Sequence, residues 1–116
     1  SPTNVEENND LLLQSAYESV VLLKNEHNIL PLSHNLRRMA VIGPNADNVY
    51  NMLGDYTAPQ HTESVVTVLE GLRNALPQTE IDYVQACSIR DTSWQDIDRA
   101  VQAAKRAAPL DIRSRI

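Results

Sequence analysis

The sequence predicts an α/β fold built on a parallel sheet. Two observations carry this prediction: stretches with helical periodicity alternate with short apolar runs, and the connections between them are short. A succession of strand, helix, strand and helix implies parallel strands that are joined by right-handed crossovers. The 116 residues, 42% of them apolar and 22% charged, have room for one such domain with a modest core.

A first helix is predicted over residues 11–25, ahead of the first strand. Asp10 is the expected N-cap. The segment "HNILPLS" ends the helix, because the residue before Pro31 resists the α conformation. Apolar residues recur along the predicted helix at helical spacing, and they are Leu12, Ala16, Val20 and Leu23, with Leu13, Tyr17 and Val21 widening the stripe.

Two strands are predicted. Residues 39–42 form an unbroken apolar run with Val and Ile, which is typical of a strand that is covered on both faces. The second strand is "EIDYVQAC", residues 80–87, in which Ile81 and Tyr83 are expected to be at least half-buried.

The second and third helices follow these strands. Thr67 and Glu70 have the spacing of a capping box, which predicts a helix over residues 68–76 and gives Glu70 a structural task rather than a catalytic one. Ser93 and Asp96 are expected to open the third helix. Its residues Ile97, Val101, Ala104 and Ala108 are predicted to lie on one face.

Residues 43–60 follow the first strand and occupy the edge where parallel sheets bind ligands. A phosphate site is not indicated, because the G-x-G-x-x-G pattern and the Gly-Lys-Ser/Thr loop are both absent. Pro44 has no N–H to offer, and after Gly43 the next glycine is Gly54. Asp47 and Asn48 are expected to form Asx-type turn hydrogen bonds.

Composition argues against several classes of function. The net charge of −5 and the scattered basic residues do not suit a nucleic-acid surface. No apolar run approaches the roughly 20 residues that span a bilayer, so no membrane interaction is expected. Residues 1–10 are polar and acidic and do not have the pattern of a signal peptide. The single Cys87 and the histidines share no metal-ligand spacing, so neither a metal nor another cofactor is expected.

Four segments carry a resemblance to a known family: "ESVVLLKNEHNILPLS", "MAVIGPNADNVYNMLGDYTAP", "VVTVLEGLRNALP" and "CSIRDTSWQDIDRAVQAAKRA". Their order and spacing resemble those of glycoside hydrolase family 3, which includes β-glucosidases, β-xylosidases and related exo-acting enzymes. The chain resembles this family over about residues 15–107, which is most of its length.

The resemblance implies part of a two-domain retaining enzyme. In two-domain members of the family, a (β/α)8-type barrel supplies the nucleophilic aspartate. A later part of the second domain supplies a glutamate as general acid/base. The chain resembles only the start of that second domain, a three-layer α/β sandwich with a partial doubly wound parallel sheet. Residues 1–10 would be the tail of the linker from the barrel, and residues 11–108 the first part of the sandwich.

The same resemblance predicts that the isolated chain is inactive. Retaining glycosidases need two carboxyl groups about 5 to 5.5 Å apart. No segment matches the family's nucleophile motif, and the acid/base glutamate would lie beyond this sequence. No catalytic role is therefore expected for any acidic residue considered, namely Glu63, Glu70, Asp82, Asp91 and Asp96.

A substrate-binding role is implied for Asp55 and Tyr56. In related enzymes the loop after the "GPNAD" turn points towards the barrel and helps to wall the sugar site. The Asp55 carboxylate would accept hydroxyl hydrogen bonds, and the Tyr56 ring would stack on an apolar sugar face. Some relatives carry tryptophan at this position, and an ordinary loop is the alternative. The partner would be an oligo- or disaccharide, bound only together with the barrel, and the family suggests a periplasmic or secreted location.

Residues 109–116 depart from the family. "PLDIRSRI" stands where an apolar third strand is expected, so that strand is predicted to be missing and the tail to be non-native. The edge beside residues 39–42 would then lack a partner strand, which predicts self-association. Two other classes stay open: a small-molecule or nucleotide-binding module, and a flavodoxin-like interaction domain, for which only Asp47 comes near the required phospho-acceptor.

Overall fold

The computed structural model describes residues 5–59, 61–88 and 96–108. Its elements confirm the predicted α/β class, and in chain order they are α1 (Val5–Ser19), β1 (Arg38–Ile42), α2 (Val49–Leu53), α3 (Val68–Ala75), β2 (Glu80–Val84) and α4 (Ile97–Ala107). The chain divides into two compact units, Ser1–Leu32 and Ser33–Ile116. The predictions for Asp91, Ser93 and residues 109–116 lie outside the described residues.

In the first unit, α1 begins and ends earlier than predicted. Asp10 lies inside the helix and is not its N-cap. The helix ends at Ser19, whose hydroxyl donates to the Ala16 carbonyl over 2.8 Å, and two β-branched valines, which favour helix less, come next. Further on, the Asn25 side chain closes a loop by donating to the Leu30 carbonyl and accepting from the Leu30 N–H.

The second unit contains a two-stranded parallel sheet among its described residues. The register runs from Arg38 opposite Glu80 to Ile42 opposite Val84. β1 confirms the predicted first strand, whereas β2 ends at Val84 and not at residue 87. The reason is local: Ala86 has a φ of +67°, which a strand does not accommodate.

Helix α4 packs against both strands. The buried cluster comprises Val84, Ala86, Ala100 and Ala103, with Ala40 of β1 packed against it. The predicted apolar face of this helix is not its buried face, because Ile97 is 37% exposed, Val101 is 44% exposed and Ala104 is also exposed. The small side chains of Ala100 and Ala103 face the sheet instead.

Helix α3 confirms its predicted start signal. Both hydrogen bonds of the Thr67–Glu70 capping box are present, and Thr67 is only 3% exposed. Leu69 and Leu76 are buried. None of the helices in the described ranges is long and apolar enough to cross a membrane.

Candidate functional site at the carboxyl end of the first strand

The turn after β1 begins with a glycine whose backbone conformation other residues rarely adopt. Gly43 has a φ of +130°, and no atom lies within 4 Å of the position that a Cβ would take, so its conformation and not space requires glycine. Its N–H donates to the Val84 carbonyl over 3.0 Å. Because that amide is engaged and Pro44 has none, the first two residues of the turn offer no amide to a phosphate.

An asparagine network shapes the next segment. The Asn48 side chain accepts a hydrogen bond from the Asn51 N–H over 3.0 Å and so caps α2, which confirms its predicted turn role. The side-chain amide of Asn51 donates a hydrogen bond to the side-chain oxygen of Asn45 over 3.0 Å. These contacts hold residues 45–51 together as a unit.

Asp47 makes a longer-range contact than the predicted Asx turn. Its Oδ1 accepts a hydrogen bond from the Thr67 hydroxyl over 2.9 Å, and the same hydroxyl oxygen accepts the Glu70 N–H of the capping box. Beside it, the Leu69 N–H donates to the Ala46 carbonyl over 2.8 Å. The turn after β1 is therefore anchored to the start of α3. The Asp47–Thr67 contact spans 20 positions, and no local motif signals it.

Asp55 and Tyr56 lie in the turn that follows α2. Gly54, with a φ of +76°, ends the helix, and the Thr57 hydroxyl donates to the carbonyls of Leu53 and Gly54. Tyr56 is fully exposed and Asp55 is exposed, with no partner for the Asp55 carboxylate among the described residues. The carboxylate can therefore accept hydrogen bonds from a ligand, and both faces of the ring are open to stacking.

The acidic side chains that could serve catalysis have other partners. Glu70 belongs to the capping box, and Asp82 is paired with Arg106, with 3.3 Å between the carboxylate oxygen and Nε. Asp96 lies 3.5 Å from Arg99. Each of these three carboxylates is therefore engaged within the domain.

Glu80 has the strongest ionic contact of the sheet. Arg38 donates to its two carboxylate oxygens, from Nε over 3.0 Å and from Nη2 over 2.7 Å. These hydrogen bonds and the positive charge of Arg38 lower the pKa of Glu80. The same hydrogen bonds and the negative charge of Glu80 raise the pKa of Arg38. Glu63 is exposed in a 3-10 turn.

Across the described part of the chain, His, Cys, Asp and Glu side chains nowhere form a group of three that could hold a metal ion.

Sequence reasoning missed a cleft of about 410 Å³ beside β2. It is open to solvent and lies between β2 and α4. Its lining residues are Asp82, Tyr83, Val84, Asp98, Arg99, Gln102 and Arg106. The cleft forms only when α4 packs on the sheet, so no stretch of sequence could reveal it.

Comparison with known proteins gives one family. Residues 20–109 match the Glycosyl hydrolase family 3 C-terminal domain. The chain is 33% identical over 114 residues to a beta-xylosidase of Formosa agariphila, covering 90% of this chain and 15% of that protein. It is 40% identical over 81 residues to a xylan 1,4-beta-xylosidase of Xylanibacter ruminicola, covering 69% of this chain and 9% of that protein.

A third relative is a periplasmic beta-glucosidase of Salmonella typhimurium, 36% identical over 113 residues, covering 79% of this chain and 15% of that protein. The chain thus spans between 9% and 15% of the length of these three relatives. No solved structure matches it.

Proposed function

The chain belongs to glycoside hydrolase family 3, as part of the family's C-terminal domain, and we propose that it works within a retaining, exo-acting β-glycosidase. The observation that carries the proposal is the domain match over residues 20–109. The relatives are named as β-xylosidases and as a β-glucosidase, so the proposed substrates are β-xylosides or β-glucosides.

Within that enzyme, the turn carrying Asp55 and Tyr56 would help to wall the sugar site. Two features support this role. The base of the segment is fixed to α3 through Asp47 and Thr67, whereas its tip exposes a carboxylate and an aromatic ring. A fixed base with an exposed tip suits contacts with a ligand that another part of the enzyme holds.

The chain alone would lack catalytic activity. The reaction needs a pair of carboxyl groups with matched geometry, and Asp82, Asp96 and Glu70 are engaged in contacts within the domain. The nucleophile and the acid/base would come from other segments of the enzyme. The domain would then contribute binding and positioning, not bond cleavage.

An assay of the enzyme that contains this chain, with aryl β-xylosides and aryl β-glucosides, tests the proposal. Hydrolysis with retention of configuration at the anomeric carbon is expected from that enzyme, and none from the isolated chain at equal concentration. Failure of the whole enzyme to cleave either substrate would overturn the proposed activity. Turnover by the repurified isolated chain would overturn the proposed division of roles, and saturable nucleotide binding would favour a binding module instead.

A further inference from the structure

We propose that Asp47 is a positioning residue for Asp55 and Tyr56, although it lies outside the turn that carries them. All three belong to the candidate sugar-binding segment, residues 45–57, which contains α2. Asp47 would act through the hydrogen bond that its carboxylate accepts from Thr67 and through the further hydrogen bonds that connect this contact with the tip of the segment. The inference rests on the sugar-binding role proposed above for Asp55 and Tyr56.

Two contacts with the start of α3 fix the base of the segment. The Asp47 carboxylate accepts a hydrogen bond from the Thr67 hydroxyl over 2.9 Å, and the Ala46 carbonyl accepts one from the Leu69 N–H over 2.8 Å. Thr67 and Leu69 are both buried, so the two donors lie on a part of the fold that packing holds in place. Asp47 is therefore the side chain through which the base of the segment is attached.

The asparagines before and after Asp47 extend this attachment into α2. Asn48 caps the helix by accepting a hydrogen bond from the Asn51 N–H over 3.0 Å. The side-chain amide of Asn51 donates to the side-chain oxygen of Asn45, also over 3.0 Å. Because α2 is tied to residues on both sides of Asp47, a displacement of Asp47 would displace the helix as well.

Thr57 connects the other end of α2 with the tip of the segment. Its hydroxyl donates to the carbonyls of Leu53, the last residue of the helix, and of Gly54. These contacts close the turn around Asp55 and Tyr56. The position of the exposed carboxylate and ring therefore depends on the position of α2, and through α2 on Asp47.

Packing alone does not determine where α2 lies. None of its five residues is buried, and Tyr50 and Met52 are exposed. Within the described part of the chain, the side-chain hydrogen bonds of residues 48–57 stay inside the segment. Without the contacts at its base, the segment would have to be ordered whenever a sugar binds, and such ordering lowers affinity.

Two substitutions of Asp47 separate positioning from stability. Asp47 is exposed, so Asp47→Ala opens no cavity, and the Thr67 hydroxyl oxygen still accepts the Glu70 N–H that caps α3. Asp47→Asn removes the charge but keeps a side-chain oxygen that can accept the hydrogen bond from Thr67. The alanine variant should therefore lose the positioning effect, and the asparagine variant should keep it.

Steady-state kinetics of the enzyme that contains this chain, with aryl β-xylosides and aryl β-glucosides, test the inference. Asp47→Ala should lower kcat/KM by about fivefold, the scale of one aromatic contact. Asp47→Asn should restore kcat/KM to within about twofold of the unmodified enzyme. Asp10→Ala is the control, because it removes the same charge from an exposed position in α1 and should leave kcat/KM unchanged.

A double-mutant cycle distinguishes positioning from a general effect on the fold. The tip variant carries both Asp55→Ala and Tyr56→Ala. If Asp47 acts through these side chains, adding Asp47→Ala to the tip variant should cause no further loss of kcat/KM. Losses that multiply would overturn the inference and leave the sugar contact intact, as would an unchanged kcat/KM for Asp47→Ala alone. A tip variant with unchanged kinetics would overturn both the sugar contact and the inference.

Thr57 provides a second test that holds even if the Asp47→Ala enzyme does not fold. Thr57→Val keeps the shape of the side chain but removes the hydroxyl that closes the tip, whereas Thr57→Ser keeps the hydroxyl. The valine variant should lose kcat/KM by about the same factor as Asp47→Ala, and the serine variant should not. Equal kcat/KM values for the two Thr57 variants would show that these hydrogen bonds do not position the tip, and the inference would fail.

Discussion

The hydroxyl of Thr67 joins two parts of the second unit. It donates to Asp47 in the turn after β1 and accepts the N–H of Glu70 at the start of α3. Thr67 is only 3% exposed. If its hydroxyl were removed, water could not replace both of these hydrogen bonds. One buried side chain therefore connects the stability of α3 with the position of the candidate sugar-binding segment.

Replacing Thr67 by valine should test that connection. The substitution keeps the shape but leaves the Glu70 N–H and the Asp47 carboxylate without this partner, so the free energy of unfolding should fall by about 1 to 2 kcal/mol. Urea denaturation of the dilute chain measures it. Ser64→Ala is the control, since Ser64 donates to the His61 carbonyl in an exposed turn, and its cost should stay below about 0.5 kcal/mol. Equal losses would argue against a special role for Thr67.

Tyr56 carries the prediction about sugar binding. In the enzyme that contains this chain, Tyr56→Ala should lower kcat/KM by the equivalent of about 1 kcal/mol, the scale of one aromatic contact. Tyr56→Trp should retain activity, because indole also offers a stacking face. Tyr50 is likewise exposed and lies in α2, so Tyr50→Ala serves as a control. Unchanged kinetics for a folded Tyr56→Ala enzyme would make this turn an ordinary loop.

At the scale of elements, local sequence signals were sufficient to predict β1 and α3. The apolar run at residues 39–42 and the Thr67–Glu70 spacing each describe structure that neighbouring residues determine. The early end of α1 was not predicted, because the apolar stripe continues through Val20, Val21 and Leu23, although the two valines favour helix less. The core face of α4 was not predicted either, since close packing favoured two alanines over larger side chains.

The contact between β1 and β2 gives a pH prediction. The pKa of Glu80 is lowered by Arg38, so the ion pair stabilises the fold above the ordinary glutamate value of 4.5 and this contribution disappears as pH falls through the lower folded value. The difference in unfolding free energy between the unmodified chain and Glu80→Gln should therefore be small near neutral pH and vanish in acid. Both side chains are partly exposed, so added salt should reduce the difference.

The corresponding control is Arg38→Gln, which should remove the same pH-dependent contribution. Combining it with Glu80→Gln should then give no further loss. Additive effects of the two substitutions would show that the residues act separately.

At the scale of the whole molecule, the chain corresponds to a small part of the length of its relatives. It covers at most 15% of the length of the three relatives compared here. The sequence indicated the family and the domain because the matching segments are long. It could not define the sugar or the linkage, since the residues proposed to contact the sugar would form at most one wall of the site. The roles of Asp55 and Tyr56 stay predictions for the same reason.

The close contact of α4 with the sheet limits how this domain can evolve. Ala103 is fully buried, and Ala100 is 7% exposed beside Val84. A larger side chain at either position would push the helix away from the strands, and glycine would loosen the helix. Drift across orthologous enzymes should therefore be confined to small residues at these two positions, whereas Arg99 and Gln102, one residue away from each, are free to diverge.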